Sequence, residues 1–182
     1  ICTSVNEVVV HGIPSNRKLE EGDIISLDIG VNYNGYCGDV AETYAVGVIN
    51  EKKRKLMNIT KESLYLGINA AKAGNRVGDI SNAIQTFVEH NEFSVVRDFV
   101  GHGIGKSVHE EPQVPNFGKK GQGPRLKPRM VLSIEPMVNS GCLDVEILED
   151  GWTAVTKDKL PSAHFEHTVV ILEDKTEILT QI

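Results

Sequence analysis

The chemistry-bearing residues of this chain are carboxylates and imidazoles, set in four separate stretches. "GHGIGKSVHEEP" (101–112) holds His102 and His109 seven residues apart among glycines, with Glu110 and Glu111 beside the second. Asp28 and Asp39 flank an Asn34-Gly35 pair in "LDIGVNYNGYCGDV", Glu135 lies in "VLSIEPMV" and Glu166 in "AHFEHTVV". A phosphate cradle would need G-x-G-x-x-G opening a helix, or G-x-x-x-x-G-K-[ST]. Gly101, Gly103 and Gly105 meet neither spacing. The H-E-x-x-H pattern fails because "HEEPQ" lacks a second histidine at i+4, and no nucleophile elbow or placed cysteine argues for covalent catalysis.

What remains is a mixed set of carboxylates with an imidazole, suited to hard or borderline divalent ions rather than to a thiolate-rich zinc site. Four carboxylates carry more negative charge than one divalent ion offsets, which favours two ions sharing ligands. Taken singly, Glu135 and Glu166 read as exposed strand residues, and the Asp28–Asp39 pair as a solvated polar face. Only their combination points to metal.

Those residues need elements to hold them. Ile25, Leu27, Ile29 and Val31 alternate with polar or small residues, the period of a half-buried strand, and Asn34-Gly35 is a favoured hairpin centre. That turn pairs Tyr33 with Tyr36, Gly30 with Asp39 and Asp28 with Ala41. Asp28 and Asp39 become diagonal neighbours on one face, with Cβ atoms about 7–8 Å apart or less. Two helices are expected next: one capped by Asn50 and running to Gly74, the other capped by Asp79 with an apolar stripe of Ile80, Ala83, Ile84, Phe87 and Val88. The segment 116–129 reads as a loop, and "MVLSIEPMV", "VEILED", "WTAVT", "AHFEHTVVILED" and "TEILTQI" as strands. Pro136 marks a strand end or edge after Glu135. The glycines of 101–105 are expected to let the backbone approach a substrate.

With 182 residues, 40% of them hydrophobic and 24% charged, the chain suits one α+β domain over 1–182. A net charge of −6 disfavours DNA or other nucleic acid as a dedicated partner, and no apolar run reaches the roughly 18 residues of a membrane span. Cys2, Cys37 and Cys142 are scattered and odd in number, which fits free thiols in a reducing compartment. The opening "ICTSVNE" has no initiator Met, so an N-terminally truncated domain is expected.

In order, "SVNEVVVHGIP", "LDIGVNYNGYCGDVAETYAVG", "GHGIGKSVHEEP", "LSIEPM" and "GWTAVTKDKLPSAHFEHTVV" resemble the type I methionine aminopeptidases. The resemblance implies the pita-bread (creatinase/aminopeptidase) fold, a curved antiparallel sheet with helices on its outer face. It implies metal ligation by Asp28, Asp39, His102, Glu135 and Glu166 around two divalent ions (Co, Mn, Fe or Zn), Asp39 and Glu166 bridging. It implies catalytic roles for His109, Glu135 and His11, with His11, His109, Cys2 and Trp152 contacting substrate. The implied activity is removal of the N-terminal methionine from peptides and nascent proteins, including ribosome-associated chains, through a metal-bridging hydroxide. A cytoplasmic monomer is the matching expectation. The sequence departs from the family at Val108, where an aromatic is usual, and at His164, where glutamine is frequent. An X-Pro-cleaving relative, and a non-catalytic binding module of the same fold, are the alternatives.

Overall fold

A two-residue turn with both central residues at positive φ matches the twist of the strands it joins, and Asn34 (φ 51°) and Gly35 (φ 81°) supply it. In the computed structural model, which describes residues 1–181, they join β3 (Ile24–Tyr33) to β4 (Tyr36–Ala45). The pairing runs Tyr33–Tyr36, Gly30–Asp39 and Asp28–Ala41, as the turn required. Before the hairpin lie β1 (Cys2–Val5) and β2 (Val8–Val10).

Helix α1 (Glu51–Ala70) begins where the Asn50 side chain accepts the backbone N–H of Lys53 at 2.9 Å. It ends four residues before Gly74. Ala71 leaves helical geometry, Asn75 Nδ2 donates to the Ala70 carbonyl, and the Thr176 hydroxyl donates to that of Ala71. Tertiary partners therefore terminate the helix before its glycine does. Helix α2 (Val77–His90) starts one turn earlier than an Asp79 cap would allow. Arg76 is the cap residue, and Asp79 works from inside the first turn, accepting the Arg76 N–H at 2.7 Å. Of its stripe, Ile80, Ile84 and Val88 are fully buried, while Ala83 and Phe87 lie at the margin.

The remaining strands are β5 (Ser94–Val95), β6 (Gly101–Gly103), β7 (Glu110–Val114), β8 (Val131–Ile134), β9 (Met137–Asn139), β10 (Val145–Ile147) and β11 (Ala154–Thr156). Then come β12 (Ser162–His164), β13 (Glu166–Ile171) and β14 (Thr176–Ile178); Ile182 lies outside the described residues. Residues 116–129 form a loop, and the Asp150-Gly151 turn joins β10 to β11. Eight strands form one antiparallel sheet in the order β1-β3-β4-β13-β8-β6-β7, with β14 also on β13. Two three-stranded sheets, β10-β11-β2 and β12-β9-β5, complete the layer.

Both helices pack on one face. α1 lies on β8, β9, β12 and β13, and α2 on β5 and β7. Leu56, Leu64, Ile80, Ile84, Leu132, Ile134 and Ile171 fill the seam between helices and sheet. Each such side chain contributes about 1.5–3 kcal/mol relative to exposure. The sheet's other face carries the acids.

Candidate metal centre

Four elements deliver the five carboxylate and imidazole side chains. Asp28 and Asp39 come from the hairpin, His102 from the middle of β6, Glu135 from the break after β8, and Glu166 from the first position of β13. Pro136 ends β8 as expected, and β9 resumes only at Met137. Glu166 sits opposite Ala41, and His102 opposite Ser133. These two pairings bring residues far apart in sequence onto one patch of the sheet. Gly101 makes the second possible: a Cβ there would collide with the Ser133 carbonyl oxygen, and one at Gly103 with that of Glu111. Gly101 and Gly103 thus serve strand-to-strand contact.

One donor atom each from Asp39, His102 and Glu166 lies within 4.8 Å of the other two, and all three residues are buried. Glu135 joins through His102, whose Nε2 is 3.4 Å from Glu135 Oε1. Asp28 joins from the side, its charge felt by Asp39's neighbours and by Glu135. Glu135 and Glu166 are therefore not the exposed strand residues that each resembles in isolation.

The electrostatics follow from this crowding. Burial, then the Asp39 charge, raises the Asp28 carboxyl from an ordinary 3.8 to about 6. Burial raises Asp39 as well, against the pull of His102. Burial followed by neighbouring carboxylates lifts Glu135 and Glu166 well above the usual range. Among the described residues, no lysine or arginine forms an ion pair with any of the four. A buried acidic cluster without a cationic side chain is stable either protonated or neutralised by a cation.

The donor set fits a divalent metal. His102 Nδ1 lies 2.9 Å from the Gly103 carbonyl, which can only accept, so Nδ1 carries the proton and Nε2 turns its lone pair toward the acids. Desolvation lowers the His102 pKa and keeps the ring neutral, the form that ligates. The Ser133 hydroxyl donates to Glu166 Oε1, fixing that carboxylate. Thr168 takes the Asp39 N–H at 2.9 Å and returns its hydroxyl to the Asp39 carbonyl at 2.8 Å. Carboxylate oxygens with one imidazole suit hard to borderline ions.

Around this cluster stand the other expected residues. His109 is exposed, its ring edge-on to His102 with centroids 4.4 Å apart. His11 adopts φ 62° and stacks on Trp152 at 4.4 Å, with Phe99 edge-on at 5.3 Å. Cys2 pairs with Asp28 across β1 and β3, next to the acids. Glu110 and Glu111 point to solvent, and Glu110 instead accepts the Ser107 N–H at 2.9 Å. Ser133 alternates with Glu135, and Thr168 with Glu166, so the sequence already sets each hydroxyl on its acid's strand face; nothing in the sequence marks Phe99.

Residues 1–173 match the family model of metallopeptidase family M24. The chain is 57% identical over 182 residues to methionine aminopeptidase 1 of Bacillus subtilis, covering all of this chain and 73% of that protein. The crystal structure of the methionine aminopeptidase from Thermotoga maritima superposes with a TM-score of 0.97 at 50% identity, again covering all of this chain and 73% of that one. A prolidase from Pyrococcus furiosus shares the fold at 26% identity and a TM-score of 0.78, with this chain spanning 48% of it. With its acids gathered on one face of a curved sheet and its helices on the other, the chain belongs to metallopeptidase family M24, among the methionine aminopeptidases.

Proposed function

We propose that this chain removes the N-terminal methionine from peptides and nascent proteins by metal-dependent hydrolysis. The convergence of Asp39, His102 and Glu166 donor atoms within 4.8 Å, in a chain so similar to methionine aminopeptidases, carries the reading. Asp28, Asp39, His102, Glu135 and Glu166 would hold two divalent ions (Co, Mn, Fe or Zn). Four carboxylates against one imidazole favour two ions over one. When bound, the ions supply Lewis-acid polarisation of the scissile carbonyl and lower the pKa of water at the site.

The protein's own groups do the rest. The Glu135 carboxylate, 3.4 Å from His102 Nε2 at the edge of the cluster, accepts the proton of the attacking water and passes it to the leaving amine. His109, exposed at the rim, donates to the oxyanion of the tetrahedral intermediate. His11, held between Trp152 and Phe99, contacts substrate near the scissile bond. Cys2 and Trp152 border the methionine side chain.

Residues 1–182 act as one catalytic domain, as a cytoplasmic monomer whose three cysteines are all free. Ribosome-associated nascent chains are the proposed source of substrate. No helix of the described residues is long and apolar enough to cross a membrane.

The test uses Glu135→Gln and His102→Ala, assayed on Met-Ala-Ser with added Mn or Co. Loss of at least about 100-fold in turnover is expected. Near wild-type turnover would sink the ligand assignment. Preferential hydrolysis of Ala-Pro over Met-Ala-Ser would replace the substrate class with that of the X-Pro peptidases.

A further inference from the structure

His164 closes β12 within reach of the acids, yet the mechanism above leaves it without a task. Its main chain is locked. The His164 N–H donates to Thr43 Oγ1 at 2.9 Å, and that hydroxyl lies 2.8 Å from both the His164 carbonyl and Ser26 Oγ. On the other side His164 pairs with Met137 of β9. The backbone therefore dictates where the ring points. The residue is 1% exposed, and neither ring nitrogen has a hydrogen-bond partner among the described residues.

Stranding a buried donor carries its full desolvation cost, so a side chain there only to fill space would serve better as leucine or methionine. A neutral imidazole offers one N–H and one acceptor nitrogen, so one of the two ring nitrogens can donate. Nε2 lies 3.7 Å from Glu135 Oε2, while the other oxygen, Oε1, lies 3.4 Å from His102 Nε2. Two imidazoles from different strands thus address the two oxygens of one carboxylate. His102 offers its lone pair there, so only His164 can donate to Glu135, and such a hydrogen bond is often long in a site without substrate and tightens on loading.

We propose that His164 is a positioning residue for Glu135: its Nε2–H donates to Oε2 and sets the carboxylate's rotation, so that Oε1 faces Asp39, His102 and Glu166. The proposal rests on the reading that Glu135 ligates metal and moves the proton. A glutamine side chain also offers an N–H, so the device is a donor and not a charge.

The experiment compares His164→Leu and His164→Gln with the wild type. Three properties are measured: steady-state kinetics on Met-Ala-Ser, affinity of the metal-stripped protein for Mn, and thermal midpoint. His164→Leu should keep or raise the midpoint, since it removes two unpaired nitrogens. Its kcat should fall about 10- to 100-fold with KM within about twofold, and Mn affinity should weaken by a similar factor to kcat. His164→Gln should recover most of both losses. Long-range 15N–1H spectra of the metal-stripped wild type should show a neutral ring protonated at Nε2. Unchanged kcat and Mn affinity in His164→Leu, a glutamine variant as impaired as the leucine one, or an Nδ1-protonated ring would each overturn the proposal. A wild type that binds Mn but does not cleave Met-Ala-Ser would instead overturn the proposed activity, leaving tautomer and Mn affinity to judge His164.

Discussion

The rings of His102 and His109 meet edge to face, 4.4 Å between centroids and 75° between planes, although one is buried and the other exposed. On the proposed mechanism this contact divides two tasks within one segment: His102 turns inward to the acids, and His109 stays at the rim to meet a substrate carbonyl. Replacing His109 with alanine should lower kcat about 100- to 1000-fold, the usual cost of an oxyanion donor. Mn affinity should change little, because His102 keeps its Gly103 anchor. Titration calorimetry beside steady-state kinetics checks both halves.

The metal-free protein should lose stability as pH rises. Asp28 binds its proton more tightly folded, at about 6, than its ordinary 3.8, so its contribution is complete below the lower value and lost as pH passes through the higher. Asp39, Glu135 and Glu166 are raised too and act with the same sign, extending the loss upward. The lowered His102 and His164 act in the opposite sense below neutrality, so urea midpoints of the metal-stripped protein should fall from pH 7 to pH 9, and saturating Mn should flatten that slope.

Asp23 should behave in the opposite sense. Arg17 Nη1 at 2.8 Å, the Glu20 N–H at 2.9 Å and Asn6 Nδ2 at 2.7 Å hold its carboxyl well below the usual range. Its contribution is present above the unfolded pKa and lost as pH falls toward the folded one. Asp23→Ala should cost about 1–3 kcal/mol at pH 7 in chemical denaturation. The difference from wild type should shrink on acidification.

Gly101→Ala should destabilise the sheet, since its methyl would meet the Ser133 carbonyl oxygen across the β6–β8 pairing. About 1–3 kcal/mol is the expected scale for such overpacking. Thermal unfolding measures it, and Mn affinity should fall in parallel because His102 follows directly.

The hairpin was legible because its information is local. Asn34-Gly35 sets the register, and the register puts Asp28 and Asp39 on one face. The Asn50 cap was legible for the same reason. The ends of α1 and α2 were not, because Asn75, Thr176 and Arg76 decide them, and Thr176 reaches α1 from 105 residues away. Likewise nothing near Glu135 or Glu166 in sequence announces their burial. It arises from β13 lying between β4 and β8, a fact of topology. For those residues the family resemblance supplied what alternation could not.

The Thr168–Asp39 exchange, which ties residues 129 positions apart, also has a kinetic consequence. Long-range pairing must absorb the entropy of closing the intervening chain before any contact rewards it, so such contacts form slowly. α1 and α2 need only nearby residues. On refolding from denaturant, helical circular dichroism should therefore recover ahead of Mn binding, which waits for β13 to dock against the hairpin. Coincident recovery of the two signals would show instead that the sheet closes in the same step as the helices.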